Sequence, residues 1–252
     1  MKAMKALLHA HSRYSYDGVR TVGELAEWGA SRGLDFVFLT EHTNDFDDAK
    51  MKRLVAECDA CSDRACRVIP GLEFSVQGGF HLLGLNVRRF TPLIELASAA
   101  RFIREQGGIA ILAHPARYGA RWPQEEAIAQ LDGIEAWNAR YDGRFLPPGR
   151  LVEHGLRQKC ASGAGLLFGG QDLHDTTHHR VVITTVGGEG GLDAFLFALR
   201  SGDSRFGAGP FSIASRTGMH PVLRRTFGAF HAAYRIARKT KKKLQTGTQA
   251  LN

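Results

Sequence analysis

The sequence predicts an α/β fold of parallel strands joined by helices, and three observations carry that expectation. Short apolar runs alternate with helical patterns along the 252 residues, the rhythm of strands linked by right-handed crossover helices. The runs are continuous rather than alternating, as strands buried on both faces require. Run after run is trailed by a histidine or a carboxylate, which packing does not explain. Parallel strands open their C-terminal ends on one rim, so side chains placed there converge.

Ala6-Leu7-Leu8 is the first strand, followed by His9, His11 and then Asp17. Thr21-Val22-Gly23-Glu24 reads as a capping box that starts the first helix. Phe36-Val37-Phe38-Leu39 is trailed by His42, Val68-Ile69 by Glu73, and His81 opens Leu82-Leu83-Gly84-Leu85. Thr91-Pro92 supplies an N-cap and a first-position proline for a helix with the apolar stripe Leu93, Leu96, Ala97 and Ala100. Ile109-Ala110-Ile111-Leu112 leads to His114, and Leu166-Leu167-Phe168 to Asp172 and His174. Ile134-Glu135-Ala136-Trp137 and Val181-Val182-Ile183 are further strands, and Leu192, Phe195, Leu196 and Leu199 form another helical stripe. The total is about eight strands, near the number that closes a barrel.

One domain is expected over residues 1–210, with a basic extension over 211–252. In that extension Pro221 to Lys243 reads as an amphipathic helix. Its stripe of Leu223, Phe227, Phe230 and Tyr234 is expected to dock on the barrel, leaving Arg224, Arg225, Arg235, Arg238 and the lysines in solvent. The formal charge is +8, yet residues 204–252 carry ten Lys and Arg and no acid, so the rest of the chain is close to neutral. Any electrostatic partner, such as nucleic acid, is to be sought at that extension. No apolar run approaches the ~18 residues of a membrane span, and none forms a signal peptide, which makes the cytoplasm the expected location. Of four cysteines, Cys58, Cys61 and Cys66 lie close together without a fourth ligand nearby, and are expected to be reduced, partly buried thiols.

Nine residues are therefore candidate metal ligands: His9, His11, Asp17, His42, Glu73, His81, His114, Asp172 and His174. His9 and His11 are two apart, so an extended backbone would point both to one face, and Asp172 and His174 repeat the spacing. Glu41 and His42 are adjacent and should face opposite ways; His42 is the expected ligand. His154, His178, His179, His220 and His231 lack strand-end placement and stay outside the set.

At these residues the chain resembles the PHP family, named for its polymerase and histidinol phosphatase members. The motifs are His9-Ala10-His11-Ser12 with Asp17-Gly18, Thr40-Glu41-His42, Gly71-Leu72-Glu73, His81-Leu82-Leu83-Gly84, Ala113-His114-Pro115 and Asp172-Leu173-His174, spread in family order over about residues 7–175. The resemblance implies a distorted TIM-like (β/α)7 barrel with two or three divalent ions, Zn, Mn or Fe, at the strand ends. It implies a first ion on His9, His11, Glu73 and Asp172, a second on Glu73, His81 and His114, and a third on Asp17, His42 and His174. Asp17, His42, Glu73 and His174 are the expected catalytic members. Asp17 stands where some members have histidine, and Glu41 where aspartate is usual.

Clustered divalent ions suit hydrolysis of phosphate mono- or diesters, because they lower the pKa of a bridging water and neutralise the attacking and leaving oxygens. Arg117 and Arg140 follow strand ends where a guanidinium could grip phosphate oxygens bidentately. The expected substrate is a small phosphorylated molecule. A nuclease using the basic extension is the alternative, and a metal-stabilised binding module the second. An amidohydrolase would commonly bridge its metals with a lysine, and no lysine ends a middle strand. Family members acting on nucleotides and short RNAs often carry an inserted helical domain after the strand bearing His81; here His114 follows after room for one helix.

Overall fold

A computed structural model describes residues 2–119, 121–148, 165–177, 180–230 and 232–233. The strands are β1 (Met4–Ala10), β2 (Phe36–Leu39), β3 (Glu41–His42), β4 (Arg67–Ile69), β5 (Gly71–Val76), β6 (Phe80–Leu85), β7 (Ile109–Leu112), β8 (Gly133–Asn138), β9 (Leu166–Gly170), β10 (Ile183–Val186), β11 (Ser204–Gly207) and β12 (Ile213–Ala214). The helices are α1 (Val22–Ser31), α2 (Asp48–Ala60), α3 (Leu96–Glu105), α4 (Glu125–Ile128), α5 (Leu192–Ser201) and α6 (221–230). Hydrogen bonding orders the strands as β12-β11-β10-β1-β2-β4 and β3-β5-β6-β7-β8-β9. The two sheets are not independent. Chain passes from the first to the second at Thr40, between β2 and β3, and at Pro70, between β4 and β5. On the other side, Gln171 donates its N–H to Leu8 and Leu173 to His9, while His11 donates to Leu173, which stitches the residues after β9 onto β1.

The fold is the expected distorted α/β barrel, but its strands are not all parallel. β6 runs antiparallel to both β5 and β7, and β1 pairs antiparallel with β10. Short links explain the first reversal: only Gln77–Gly79, with Gly78 and Gly79 at φ 80° and 74°, separate β5 from β6, too few for a crossover helix. Alternate residues of each strand feed two cores, which is why the runs are apolar throughout. Ala6, Leu8, Phe36, Phe38, Ile109 and Ile111 face the interior. Leu7, Val37, Leu39, Ala110 and Leu112 face the outer layer, where Leu25, Leu54 and Ile103 of α1, α2 and α3 cover them.

The Thr21–Glu24 capping box is present: Thr21 Oγ1 accepts from the Glu24 N–H, and a Glu24 carboxylate oxygen accepts from the Thr21 N–H. α3 begins at Leu96 rather than after Thr91-Pro92, and it buries Leu96, Ala99, Ala100 and Ile103. The residues before it are instead tied to the β5–β6 turn, where Gln77 donates to Ile94 O. α3 is also the single helix that fits between His81 and His114. Cys58, Cys61 and Cys66 are buried free thiols; burial pushes Cys66 up to about 12, which keeps it unreactive.

α5 plugs the end of the interior formed by the strand N-termini, where its Phe195 packs on Phe36 and Phe38 at 5.2 and 5.9 Å. Phe195, Leu196 and Leu199 are all buried there. Phe195→Ala is expected to destabilise the fold by about 3–5 kcal/mol, through reduced burial and the cavity left behind; denaturant unfolding would measure it.

The basic extension differs from expectation. β12 pairs with β11, Ser215 donates to Leu167 O, and Met219 is buried, so the body continues past residue 210. Of the α6 stripe, Phe227 meets Phe211 edge to face at 5.1 Å, whereas Leu223 and Phe230 are 50% and 58% exposed. The helix faces the body through Arg224, Phe227 and Gly228 rather than through the whole stripe. Tyr234, Arg235, Arg238 and the lysines from Lys239 on lie outside the described residues. Among the described residues no helix is long and apolar enough to cross a membrane.

Candidate metal centre

All nine sequence-derived candidates meet at one end of the barrel. They fall into four overlapping sets of potential ligand atoms: His11, Asp17, His42 and His174; His9, His11 and Glu73; His9, His114 and Asp172; and His42, Glu73 and His81. The route by which they meet is partly unexpected. Glu73 does not trail β4; it lies inside β5, where the chain has already crossed into the second sheet. His81 joins from near the N-terminal end of its strand because β6 is antiparallel. His9 and His11 do not share a face by simple strand alternation. His9 adopts φ 65° at an irregularity in the β1–β2 register.

Left-handed backbone recurs in this site. Among the described residues, five non-glycine residues have positive φ, and three of them are His9, His114 (φ 30°) and Asp172 (φ 52°). Such conformations cost of order 1–3 kcal/mol each and persist where the surroundings over-determine them. Here they aim imidazole and carboxylate groups that ordinary strands would turn aside.

Glu73 is the hub. Its Oε1 lies 2.9 Å from His114 Nε2 and 2.5 Å from His81 Nδ1. Its Oε2 lies 3.4 Å from both His9 Nε2 and His11 Nε2, and 3.2 Å from His42 Nδ1. Asp172 Oδ1 approaches His9 and His11 at 3.6 and 3.7 Å and His174 at 3.3 Å. Asp17 spans His42 and His174 at 3.5 and 2.8 Å. His9 Nε2, His11 Nε2, Glu73 Oε2, Asp17 Oδ1 and His114 Nδ1 are buried with no hydrogen-bond partner. Buried polar atoms are rarely left unpaired, and this donor set of imidazole and carboxylate suits a divalent transition metal. The residues fit such ions.

The field points the same way. Burial opposes charge on His9, but the carboxylates of Glu135, Asp172 and Glu73 outweigh it and hold the imidazole well above its ordinary pKa. Burial pushes His11 well below its usual value against the opposing pull of Glu73, and its neighbour His9, itself held cationic, adds to the effect. Burial also opposes the Glu73 carboxylate, yet His9 and hydrogen bonds from His114 and His81 keep it ionised far below the usual range. Within the cluster, positive charge is thus favoured on His9 and disfavoured on His11.

Arg117 and Arg140 sit beside the cluster. Arg117 Nη1 is 3.1 Å from the His81 ring, and Arg140 Nη1 is 2.7 Å from the His174 ring and 3.7 Å from Asp172. Two exposed tyrosines flank the mouth: Tyr16 stacks on His42 with centroids 5.0 Å apart, and Tyr141 lies 5.0 Å from His114. His220 is exposed and belongs to none of the ligand sets, whereas His154, His178, His179 and His231 lie outside the described residues.

Sequence reasoning missed the groups behind the ligands. Glu41 belongs to none of the four ligand-atom sets, but it has its own task. It accepts hydrogen bonds from the Ser12 N–H, Ser12 Oγ and Ser15 Oγ, and Ser15 Oγ contacts His11 Nδ1 at 3.2 Å. Burial pushes the Glu41 carboxyl up to about 7. Glu135 and Asn138, both buried on β8, were also passed over. The one signal available was a carboxylate inside the apolar run Ile134-Glu135-Ala136-Trp137.

Several solved structures share this fold. A Bifidobacterium adolescentis protein named as a candidate metal-dependent phosphoesterase aligns with TM-score 0.51 and 16% identity over 69% of this chain and 89% of its own. PsfC from Pseudomonas syringae PB-5123 aligns at 0.57 and 13% over 94% and 99%. The lesion-specific endonuclease PfuEndoQ from Pyrococcus furiosus aligns at 0.57 and 14% over 87% of this chain and 60% of its own. None of the curated proteins matches the sequence significantly. The family model of the PHP domain matches residues 8–145, more than half of the chain and seven of the nine clustered residues, and the chain therefore belongs to the PHP domain family.

Proposed function

We propose that this protein is a metal-dependent phosphoesterase that hydrolyses a phosphate mono- or diester at a di- or trinuclear centre of Zn, Mn or Fe. The observation that carries the reading is Glu73, whose two oxygens face separate sets of imidazoles while buried ring nitrogens around it have no hydrogen-bond partner. In the proposed division His9, His11, Glu73 and Asp172 hold one ion, Glu73, His81 and His114 a second, and Asp17, His42 and His174 a third. Bound ions would supply an activated water and neutralise charge on the phosphoryl oxygens. Asp17, His42, Glu73 and His174 are the proposed catalytic set. The chain's own further contribution is orientation. Arg117 beside His81 and Arg140 beside His174 stand at two edges of the cluster, placed to hold phosphate oxygens through paired N–H groups.

Elemental analysis together with a panel of phosphoesters tests this directly. Two or three ions per chain and hydrolysis of a mono- or diester are expected; neither metal nor turnover after reconstitution would refute it. Arg117→Ala or Arg140→Ala should raise KM if the grip is equal in ground and transition states, or lower kcat by about 10–100-fold if it tightens at the transition state.

A nucleic-acid substrate is the second reading, favoured by ten cationic and no acidic residues after position 203 and by the likeness to an endonuclease. Deleting residues 240–252 should then leave turnover of a small phosphoester unchanged. The same deletion should flatten the salt dependence of nucleic-acid affinity, by roughly one unit of slope for each phosphate no longer neutralised. An unchanged slope would remove this reading.

A further inference from the structure

The geometry points to Glu135, helped by Asn138, as the positioning residue that fixes ligand atoms in two halves of the cluster at once. The proposal rests on the metal-dependent reading above and goes beyond it, because Glu135 is in none of the ligand sets. The side chain is 1% exposed, and both oxygens are engaged. Oε1 accepts from His9 Nδ1 at 2.8 Å. Oε2 accepts the backbone N–H of His114 at 2.6 Å and an N–H of Asn138 at 2.9 Å. The Asn138 amide also reaches Asp172 Oδ2 at 3.4 Å.

One carboxylate thus holds His9 and His114 directly and Asp172 through Asn138. These are the three left-handed residues of the cluster. The bond to His114 falls on the backbone, at the residue whose φ of 30° aims its ring at Glu73. The bond to His9 falls on the ring: with Nδ1–H donated to Glu135, the lone pair of Nε2 is left to bind an ion on the side facing Glu73 and His11. Room for the carboxylate comes from Gly170 at the end of β9, where a Cβ would stand 1.5 Å from Glu135 Oε1 and 3.1 Å from His9 Cβ.

The test is Zn2+ and Mn2+ affinity of the full chain, measured against a competing chelator for wild type, Glu135→Gln, Glu135→Ala and Asn138→Ala. Glu135→Gln keeps the volume and should weaken affinity about tenfold, and Glu135→Ala about a hundredfold. In Zn2+-loaded wild type the His9 Nδ1–H should give a low-field proton resonance, absent from Glu135→Ala. A merely structural role would lower the unfolding temperature of the metal-free variants and leave their affinity at the wild-type value. Affinities within twofold of wild type in folded Glu135→Gln and Asn138→Ala would overturn the proposal; Asn138→Ala decides alone if the Glu135 variants do not fold. Failure of wild type to bind either metal would overturn the metal-dependent reading itself, and the positioning role with it.

Discussion

Glu73→Gln is expected to lower kcat on a phosphoester by roughly a thousandfold or more, a larger loss than for any single outer histidine. The substitution keeps the shape of a side chain 1% exposed and removes its charge. That charge faces His9, His11 and His42 through one oxygen and His81 and His114 through the other. An amide can offer one acceptor where the carboxylate offers two, so a ligand shared between ions loses one of them. His42→Ala, by contrast, removes a group from one side of the cluster. Steady-state kinetics and metal content measured together check the ranking. Equal metal content and activity in Glu73→Gln and wild type would sink the bridging role.

Chelation should abolish activity and lower thermal stability together. Ions that bind the folded chain alone stabilise it by about 4 kcal/mol when free metal is a thousandfold above Kd. For a chain of this size that is roughly 8–16 °C in unfolding temperature. The physical reason is local: several imidazoles and three carboxylates are packed within one cluster, and five of their polar atoms are buried without a partner. Removing the cations leaves those atoms unsatisfied and His9 competing for protons in their place. Scanning calorimetry with and without chelator, followed by metal add-back, measures both effects. Activity that survives complete metal removal would overturn the functional reading.

The nine clustered side chains were legible in the sequence because most of them punctuate apolar runs, and runs are easy to see. His11, His42, His114, Asp172 and His174 each follow a strand or end one, and His9 stands one residue before the end of β1, which single-chain periodicity can register. Glu135 was not legible for the same reason: it stands within a run, where an apolar neighbour on each side makes a carboxylate look like an interruption. The Glu41–Ser15–His11 contacts were equally hidden, since Ser15 lies in a loop whose path depends on the close packing of Gly18 against Ser12 O. The α6 stripe shows the opposite failure. Leu223, Phe227 and Phe230 have the spacing of a buried face, yet among the described residues Phe227 packs on Phe211 while Leu223 and Phe230 are half exposed or more. Periodicity states that a face is apolar and says nothing of whether another surface lies opposite.

The sequence by itself determined the α/β class, most of the long apolar strand segments and the identity of nine clustered side chains, because local hydrophobic pattern and residue chemistry are properties of short stretches; the short β3, β11 and β12, and β5 with its Glu73, were not read as strands. Strand direction, sheet membership and backbone hand were decided only in the tertiary structure. The reversal of β6 brings His81 to the site from the start of its strand, and the crossing at Pro70 puts Glu73 in mid-strand. The left-handed turns at His9, His114 and Asp172 aim three donors inward. Each of these depends on contacts between residues far apart in sequence, such as Glu135 with His9 at a separation of 126, and no local pattern encodes a contact of that range.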